Sequence, residues 1–202
     1  MIRMSVTDLE SWRYQKANED TTLEDIVRRL SHQEPSSPAM EAGAAFAKIM
    51  EHARGTLADV EQDGWSFYLQ LDGDFALPRV RELKAEVLFN TPSGPVTLVG
   101  KVDGLHGLEV HDQKLVEKFD AERYLDSLQW RSYLVMFAAR SFVYDVFVCR
   151  RDEEKKTAIV TDLHQLAFWT YPGIRDDVEA AVCELADIIT RYIPQLVIKE
   201  AA

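Results

Sequence analysis

From Trp65 to Val116 the apolar residues stop recurring every three or four positions and begin to alternate, and this switch of period constrains the fold more than any other feature. Four strand-like runs follow one another: Trp65–Leu71, Val80–Phe89, Val96–Val102 and Leu108–Val116. Turn-forming residues separate them: Asp72-Gly73-Asp74, then Asn90-Thr91-Pro92-Ser93-Gly94-Pro95, then the tight connection Asp103-Gly104-Leu105-His106-Gly107. Connections this short join antiparallel neighbours only, because a parallel pair needs a long crossover. The middle of the chain is therefore expected to be a hairpin meander.

Helical patterns flank it. Thr7 to Ala17 reads as a helix with Thr7 as N-cap and Glu10 three residues on. Thr21 or Thr22 caps a second helix through Leu30, and Gln33-Glu34-Pro35-Ser36-Ser37-Pro38 is a loop by composition. Ala39 to Ala53 carries Phe46, Ile49, Met50 and Ala53 on one face, with Gly55 as a stop. After the meander, Asp120 caps a long helix from Ala121 to about Arg140, and Phe142–Cys149 is a β-prone strand. Arg150 to Lys156 is a charged turn, and Thr157 to Thr170 is a strand running into a short helix. Arg175–Tyr192 closes the chain and Pro194 ends it. The expected fold class is α+β, a mixed central sheet with an antiparallel meander flanked by helices. Residues 1–202 read as a single domain, with 1–36 as an N-terminal helical extension.

Composition excludes several functions. A chain of 202 residues, 47% hydrophobic, can bury a core without staples. The longest apolar stretch, Tyr133–Ala139, is seven residues, against the ~20 that a membrane helix needs. The opening Met1-Ile-Arg-Met-Ser-Val lacks the apolar core of a signal peptide, so no membrane partner and a cytoplasmic location are expected. Two cysteines, Cys149 and Cys183, cannot build a four-thiolate zinc or iron–sulfur site and suit a reducing compartment. There is no Gly-x-Ser-x-Gly elbow and no phosphate-binding Gly-x-x-x-x-Gly-Lys loop. The net charge of -11 argues against loose, nonspecific attraction to nucleic acid.

The chemistry is concentrated in one hairpin. Asp103 ends one strand, and Asp112 and Lys114 lie two apart on the next, so they share a face. A tight turn brings Asp103 near Asp112. Two carboxylates at one sheet edge repel each other unless a cation lies between them. Oxygen ligands suit Mg2+ or Mn2+, and the Gln113 carbonyl is a further candidate ligand. A lysine beside them orients water or stabilises charge developing on a phosphate. Lys101, Lys114, Lys118, Arg123, Arg131 and Arg140 cluster around this hairpin in sequence, and Trp130 and Tyr133 offer stacking faces.

Asp103 followed by Asp112-x-Lys114 resembles the PD-(D/E)xK nuclease superfamily. Gln129 and Tyr133, four apart on the following helix, are similar to the Gln-x-x-x-Tyr motif of its RecB-like and phage exonuclease branch. Gly43-x-x-Phe46-x-x-x-Met50-Glu51 is similar to the helix that supplies that branch's first acid. The resemblance spans Gly43 to Tyr133 in the family's order. It implies a restriction-endonuclease-like core, with Glu51 as helix-borne acid and metal ligand, Asp103 and Asp112 as core ligands, and Lys114 assisting the attacking water. Gln129 and Tyr133 would organise the site or hold the nucleic-acid strand; Arg131 and Lys101, from the basic cluster around the hairpin, are further candidates to hold it. It implies phosphodiester hydrolysis of DNA by an exonuclease of recombination or repair, with a recombination partner protein or a homo-oligomer as further options. The departures are Ala47, where the branch often has histidine, Val102 before Asp103, and Leu115 after Lys114. Two other readings stay open: an inactive nuclease-fold protein that binds DNA or a protein partner, and a structure-selective endonuclease, against which the Gln-x-x-x-Tyr pair leans. Glu41 is the rival helix acid. His111 faces away from Asp112 by alternation and reads as structural, while His32, His52, His106 and His164 show no metal-ligand spacing.

Overall fold

The computed structural model describes residues 1–31, 35–54, 59–71, 75 and 77–196. Gly55, His32, the Gln33-Glu34 part of the expected loop and the Asp72-Gly73-Asp74 turn lie outside the described residues. The chain opens with a strand, β1 (Ile2–Ser5), followed by α1 (Val6–Lys16), α2 (Leu23–Leu30) and α3 (Pro38–His52). Strands β2 (Val60–Gln62), β3 (Trp65–Leu69), β4 (Val80–Thr91), β5 (Gly94–His106) and β6 (Glu109–Val116) come next. Short helices α4 (Glu122–Leu125) and α5 (Leu128–Met136), strands β7 (Ser141–Asp152) and β8 (Thr157–Trp169), and helix α6 (Ile174–Tyr192) complete it. None of the described helices is long and apolar enough to cross a membrane.

All the strands join one mixed sheet in the order β1-β5-β6-β7-β8-β3-β2, with β4 on the other edge of β5. The expected four-strand meander is reduced to three: β4-β5-β6 is antiparallel, as its short turns require, whereas β3 does not pair with β4 and instead lies parallel to β8 at the other end of the sheet. β6 pairs in parallel with β7 across the α4–α5 crossover. Residues 1–36 are not a purely helical extension: β1 pairs in parallel with β5 from Ile2↔Val96 to Ser5↔Val99. The four apolar and polar residues of β1 are too few to show a period, and only the sheet partner makes them a strand.

Two apolar clusters cover the two faces. On one face Leu9 and Trp12 of α1 and Val182 and Leu185 of α6 share a cluster with Val110, Phe142, Tyr144 and Val146 of the sheet. On the other face α3 buries Phe46, Ile49 and Met50 against Phe67, Phe147 and Cys149. Phe46 meets Phe67 and Phe147 with ring centroids 5.6 and 5.0 Å apart, tilted and edge-on, the geometry that aromatic quadrupoles favour.

Several local expectations change. Ser5, not Thr7, caps α1 in a box with Asp8, and Ser37 caps α3; Thr22 caps α2 with Asp25. The expected helix Ala121–Arg140 is broken between Leu125 and Leu128, where Ser127 leaves helical geometry and accepts the Gln129 N–H. Thr157–Trp169 is strand throughout, with no terminal helix. Asp103 lies within β5, and the turn shrinks to Gly107-Leu108, with Gly107 at φ +65°.

Candidate active site

The site forms where β5 and β6 part. The two strands pair only over Gly104↔His111, Leu105↔Val110 and His106↔Glu109. β1 occupies the same edge of β5 over Val96–Val99. Residues 100–103 lie between these partners, at a fork. Beyond His111 the backbone of β6 loses its β5 ladder partner, and a buried N–H must find another acceptor. Asp103 supplies it: its Oδ2 accepts the Gln113 N–H at 2.7 Å. One carboxylate thus closes the fork and is brought against the next, Asp112.

Asp112 is 3% exposed. Its Oδ1 accepts from Gln129 Nε2 at 2.8 Å, and its Oδ2 forms an ion pair with the Lys114 ammonium. Burial, followed by the charge of Asp112, pushes Asp103 up to about 7, although Lys114 and the Gln113 N–H work against the rise. Burial also raises Asp112, with Lys114 opposing. Burial alone would lower Lys114, but the charges of Asp112 and Asp103 outweigh it and raise its pKa. One ammonium therefore faces two carboxylates, Asp112 buried and Asp103 half-buried. This oxygen-rich, under-neutralised pair fits a hard divalent cation such as Mg2+ or Mn2+.

Gln129 and Tyr133 do reach this place from α5, one turn apart. Gln129 fixes Asp112 and accepts a weak bond from the Tyr144 hydroxyl at 3.4 Å. The Tyr133 hydroxyl donates to the Lys101 carbonyl at 2.9 Å and so braces the bare stretch of β5. Gly100 makes room for this ring: a Cβ there would lie 2.7 Å from Tyr133 Cε1.

Other expected residues are elsewhere. Glu51 is exposed on the last turn of α3, and its charge acts on Lys101. Helix α3 covers the face opposite Asp112, which is why its acid does not reach the carboxylate pair. Among the described residues no three His, Cys, Asp or Glu side chains are grouped so as to hold a metal. Glu41, the rival, pairs with Lys156 at 3.3 Å. The Gln113 N–H is engaged by Asp103, and its side-chain Nε2 is buried without a hydrogen-bond partner among the described residues.

The four residues expected to hold nucleic acid have other partners. Tyr133 is 3% exposed. Gln129 is bound to Asp112, and Lys101 forms an ion pair with Glu82. Arg131 donates to the Asp126 carbonyl at 2.9 Å and lies over the Trp130 ring, closing the α4–α5 break. Trp130 itself is buried and stacked on Phe168.

Sequence reading missed Glu10 and Glu82. Glu10 does not complete a cap with Thr7. It reaches from α1 to accept the Ser127 hydroxyl at 3.0 Å and the Leu128 N–H at 2.7 Å, anchoring the N-terminus of α5. Its charge helps to raise Asp112. Glu82 lies opposite Asp103, between the Arg81↔Gly104 and Leu83↔Val102 pairs, with a left-handed φ of 58°. That conformation inside a strand leaves no trace in the residue pattern, but two carboxylates flanking a lysine in space follow from the hairpin register. His111 lies on the reverse face, its Nδ1 2.9 Å from the fully buried Asp145, which also accepts from Gln165 Nε2 at 2.7 Å.

No family model matches the chain, and no curated protein matches it significantly in sequence. Among solved structures, the crystal structure of SSO0001 superposes with a TM-score of 0.51 at 12% identity, covering 95% of this chain and 78% of that one. A protein of Eubacterium rectale described as a candidate exonuclease matches at TM-score 0.49 and 9% identity, over 96% and 79% of the two chains. LHK-Exo, crystallised with dAMP, matches at 0.46 and 14%, over 96% and 94%. At these identities the likeness is one of fold, and the fold class is the one expected: α+β, a mixed sheet with an antiparallel meander flanked by helices.

Proposed function

We propose that the chain is a Mg2+- or Mn2+-dependent deoxyribonuclease of the PD-(D/E)xK type, acting as an exonuclease in DNA recombination or repair. The observation that carries this reading is the convergence of Asp103, Asp112, Lys114 and Gln129 at one fork, with Gln129 bonded to Asp112 across 17 residues of sequence. Asp103 and Asp112 would hold the cation, with the Gln113 carbonyl as a further ligand. When bound, the cation supplies a Lewis acid for the phosphate and lowers the pKa of a water. Lys114 holds its proton firmly and keeps a positive charge beside the scissile phosphate, where it stabilises the charge that develops. Gln129 locks the rotamer of Asp112, and Tyr133 fixes the β5 backbone that carries Asp103. Such fixed dipoles need no reorganisation during the reaction.

A second reading has one observation in its favour. With only two carboxylates together, and Glu51 away from them, the fold would serve as an inactive DNA- or protein-binding module. End-labelled linear and circular DNA, incubated with Mg2+ or Mn2+, separates the two. Metal-dependent loss of linear DNA alone, abolished by Asp112→Ala and by Lys114→Ala, is the expected result. A folded wild-type protein that leaves both substrates intact with either metal establishes the inactive reading.

A further inference from the structure

Lys114 and Gln129 of the proposed site line a cavity of about 940 Å3 bounded by α1, α2, the segment after β6, and α4. Its charge is opposite to that of the chain. Six basic residues, Arg13, Arg29, Lys114, Lys118, Arg123 and Arg151, line it against two acidic ones, Glu10 and Glu117. The chain as a whole has 23 basic and 34 acidic residues. Arg13 pairs with Glu10 at 2.6 Å, Arg151 pairs with Glu117 at 2.7 Å, and Lys114 pairs with Asp112. Lys118 and Arg123 are exposed and form no ion pair among the described residues. Arg29 is steadied at the wall by a 3.0 Å bond from its Nε to Ser11 Oγ.

An aromatic face accompanies these cations. Tyr14 on α1 is 59% exposed and lines the same cavity. The Arg123 guanidinium lies 5.9 Å from its ring centroid. A positively charged groove with an accessible aromatic ring is the combination that binds single strands, since every base has a face to stack and every nucleotide a phosphate. The volume lies at the upper end of the ~300–1,000 Å3 of small-molecule pockets, which admits a few nucleotides of one strand and not a duplex.

We infer that α1, α2 and the segment from Glu117 to Arg123 form a docking groove for a single strand of DNA, leading its end to Asp103 and Asp112. Tyr14 stacks a base, while Lys118 and Arg123 take phosphates. The choice of DNA as the ligand rests on the proposed nuclease function; the groove itself rests on charge and shape. The chain outside the cavity is on balance acidic and repels nucleic acid, whereas the groove attracts it.

Binding of a fluorescein-labelled oligothymidylate to the full chain, followed by anisotropy in EDTA, tests this without cleavage. A blunt duplex of the same length is expected to bind more weakly. Tyr14→Ala is expected to weaken oligothymidylate binding about tenfold with the salt dependence unchanged. Arg123→Ala and Lys118→Ala should each lower the slope of log affinity against log salt by about 0.7. Lys48→Ala, exposed on α3 and paired with Asp63 at 2.7 Å outside the cavity lining, should change neither quantity. All these side chains are exposed, so the variants fold, which circular dichroism verifies. Equal affinity for duplex, tighter binding of oligouridylate, or wild-type binding by both Tyr14→Ala and Arg123→Ala overturns the groove. A protein that cleaves DNA while binding ignores these variants refutes the groove alone. A protein that cleaves nothing yet binds as described keeps the groove and loses the nuclease reading.

Discussion

Asp103→Asn should make the metal-free protein more stable while removing its response to metal. Asparagine keeps the size of the side chain and an oxygen for the Gln113 N–H, which lies 2.7 Å from Asp103 Oδ2, but it carries no charge. In the wild type the Asp103 carboxyl stands at about 7 against an ordinary 3.8, mainly through burial and then through the charge of Asp112. At about 1.4 kcal/mol per pH unit, ionising it in the fold costs about 4 kcal/mol at most. The stability tied to this group is fully present below its unfolded value of 3.8 and is lost as pH rises through about 7, because the folded state binds the extra proton across that window. Urea unfolding in EDTA, followed by tryptophan fluorescence, should therefore find the variant more stable than the wild type at about pH 8 and the gap nearly closed at about pH 4. Saturating Mg2+ should then stabilise the wild type, by about 2.7 kcal/mol at a hundredfold excess over Kd, and leave the variant unchanged. A variant less stable than wild type at the higher pH, or a gap that ignores pH, would show that Asp103 is not a strained carboxylate and would remove the electrostatic case for a cation.

Three further perturbations probe the supports of the site. Gln129→Ala removes the 2.8 Å bond to Asp112 Oδ1; a bond to a charged group contributes about 1.5–3 kcal/mol, so chemical denaturation should register a loss of that order and cleavage should slow. Gly100→Ala puts a methyl 2.7 Å from Tyr133 Cε1; overpacking of this kind costs about 1–3 kcal/mol, visible as a lower Tm, with cleavage impaired because β5 shifts. His111→Ala strips the fully buried Asp145 of its 2.9 Å partner, and breaking a buried ion pair costs about 3–5 kcal/mol; the protein should be grossly destabilised, and a Tm near wild type would mean that the pair contributes little.

The alternation of apolar residues and the turns between them were enough to mark β4, β5 and β6 as strands, but not to show that β3 leaves them to pair in parallel with β8. Val96–Val102 and Leu108–Val116 are legible from that alternation. β1 is not: Ile2 and Met4 are buried only because Val96 and Leu98 lie beside them. The break in the α4–α5 segment was equally hidden. Its residues have helical spacing throughout, and what interrupts them is Glu10, more than a hundred positions away, which binds Ser127 and the Leu128 N–H. A tertiary contact there overrides local propensity.

The fate of Glu51 shows the same limit within the candidate site. A helix pattern such as Phe46, Ile49 and Met50 establishes that one side is buried but not which face of the sheet buries it. Here Phe46 packs on Phe147, whose neighbour Val146 belongs to the opposite cluster with Tyr144. One residue of β7 separates the two faces, and α3 is committed to the one that Asp112 does not share. The place beside Asp112 is taken by α1, whose Glu10 and Arg13 lie outside the motif. The acidic net charge is reconciled in the same way: composition sums over the surface, whereas α1 and α2 gather arginines on one wall of one cavity. What decides function in this chain is therefore the assignment of helices to faces, a property of the crossovers and not of any single segment.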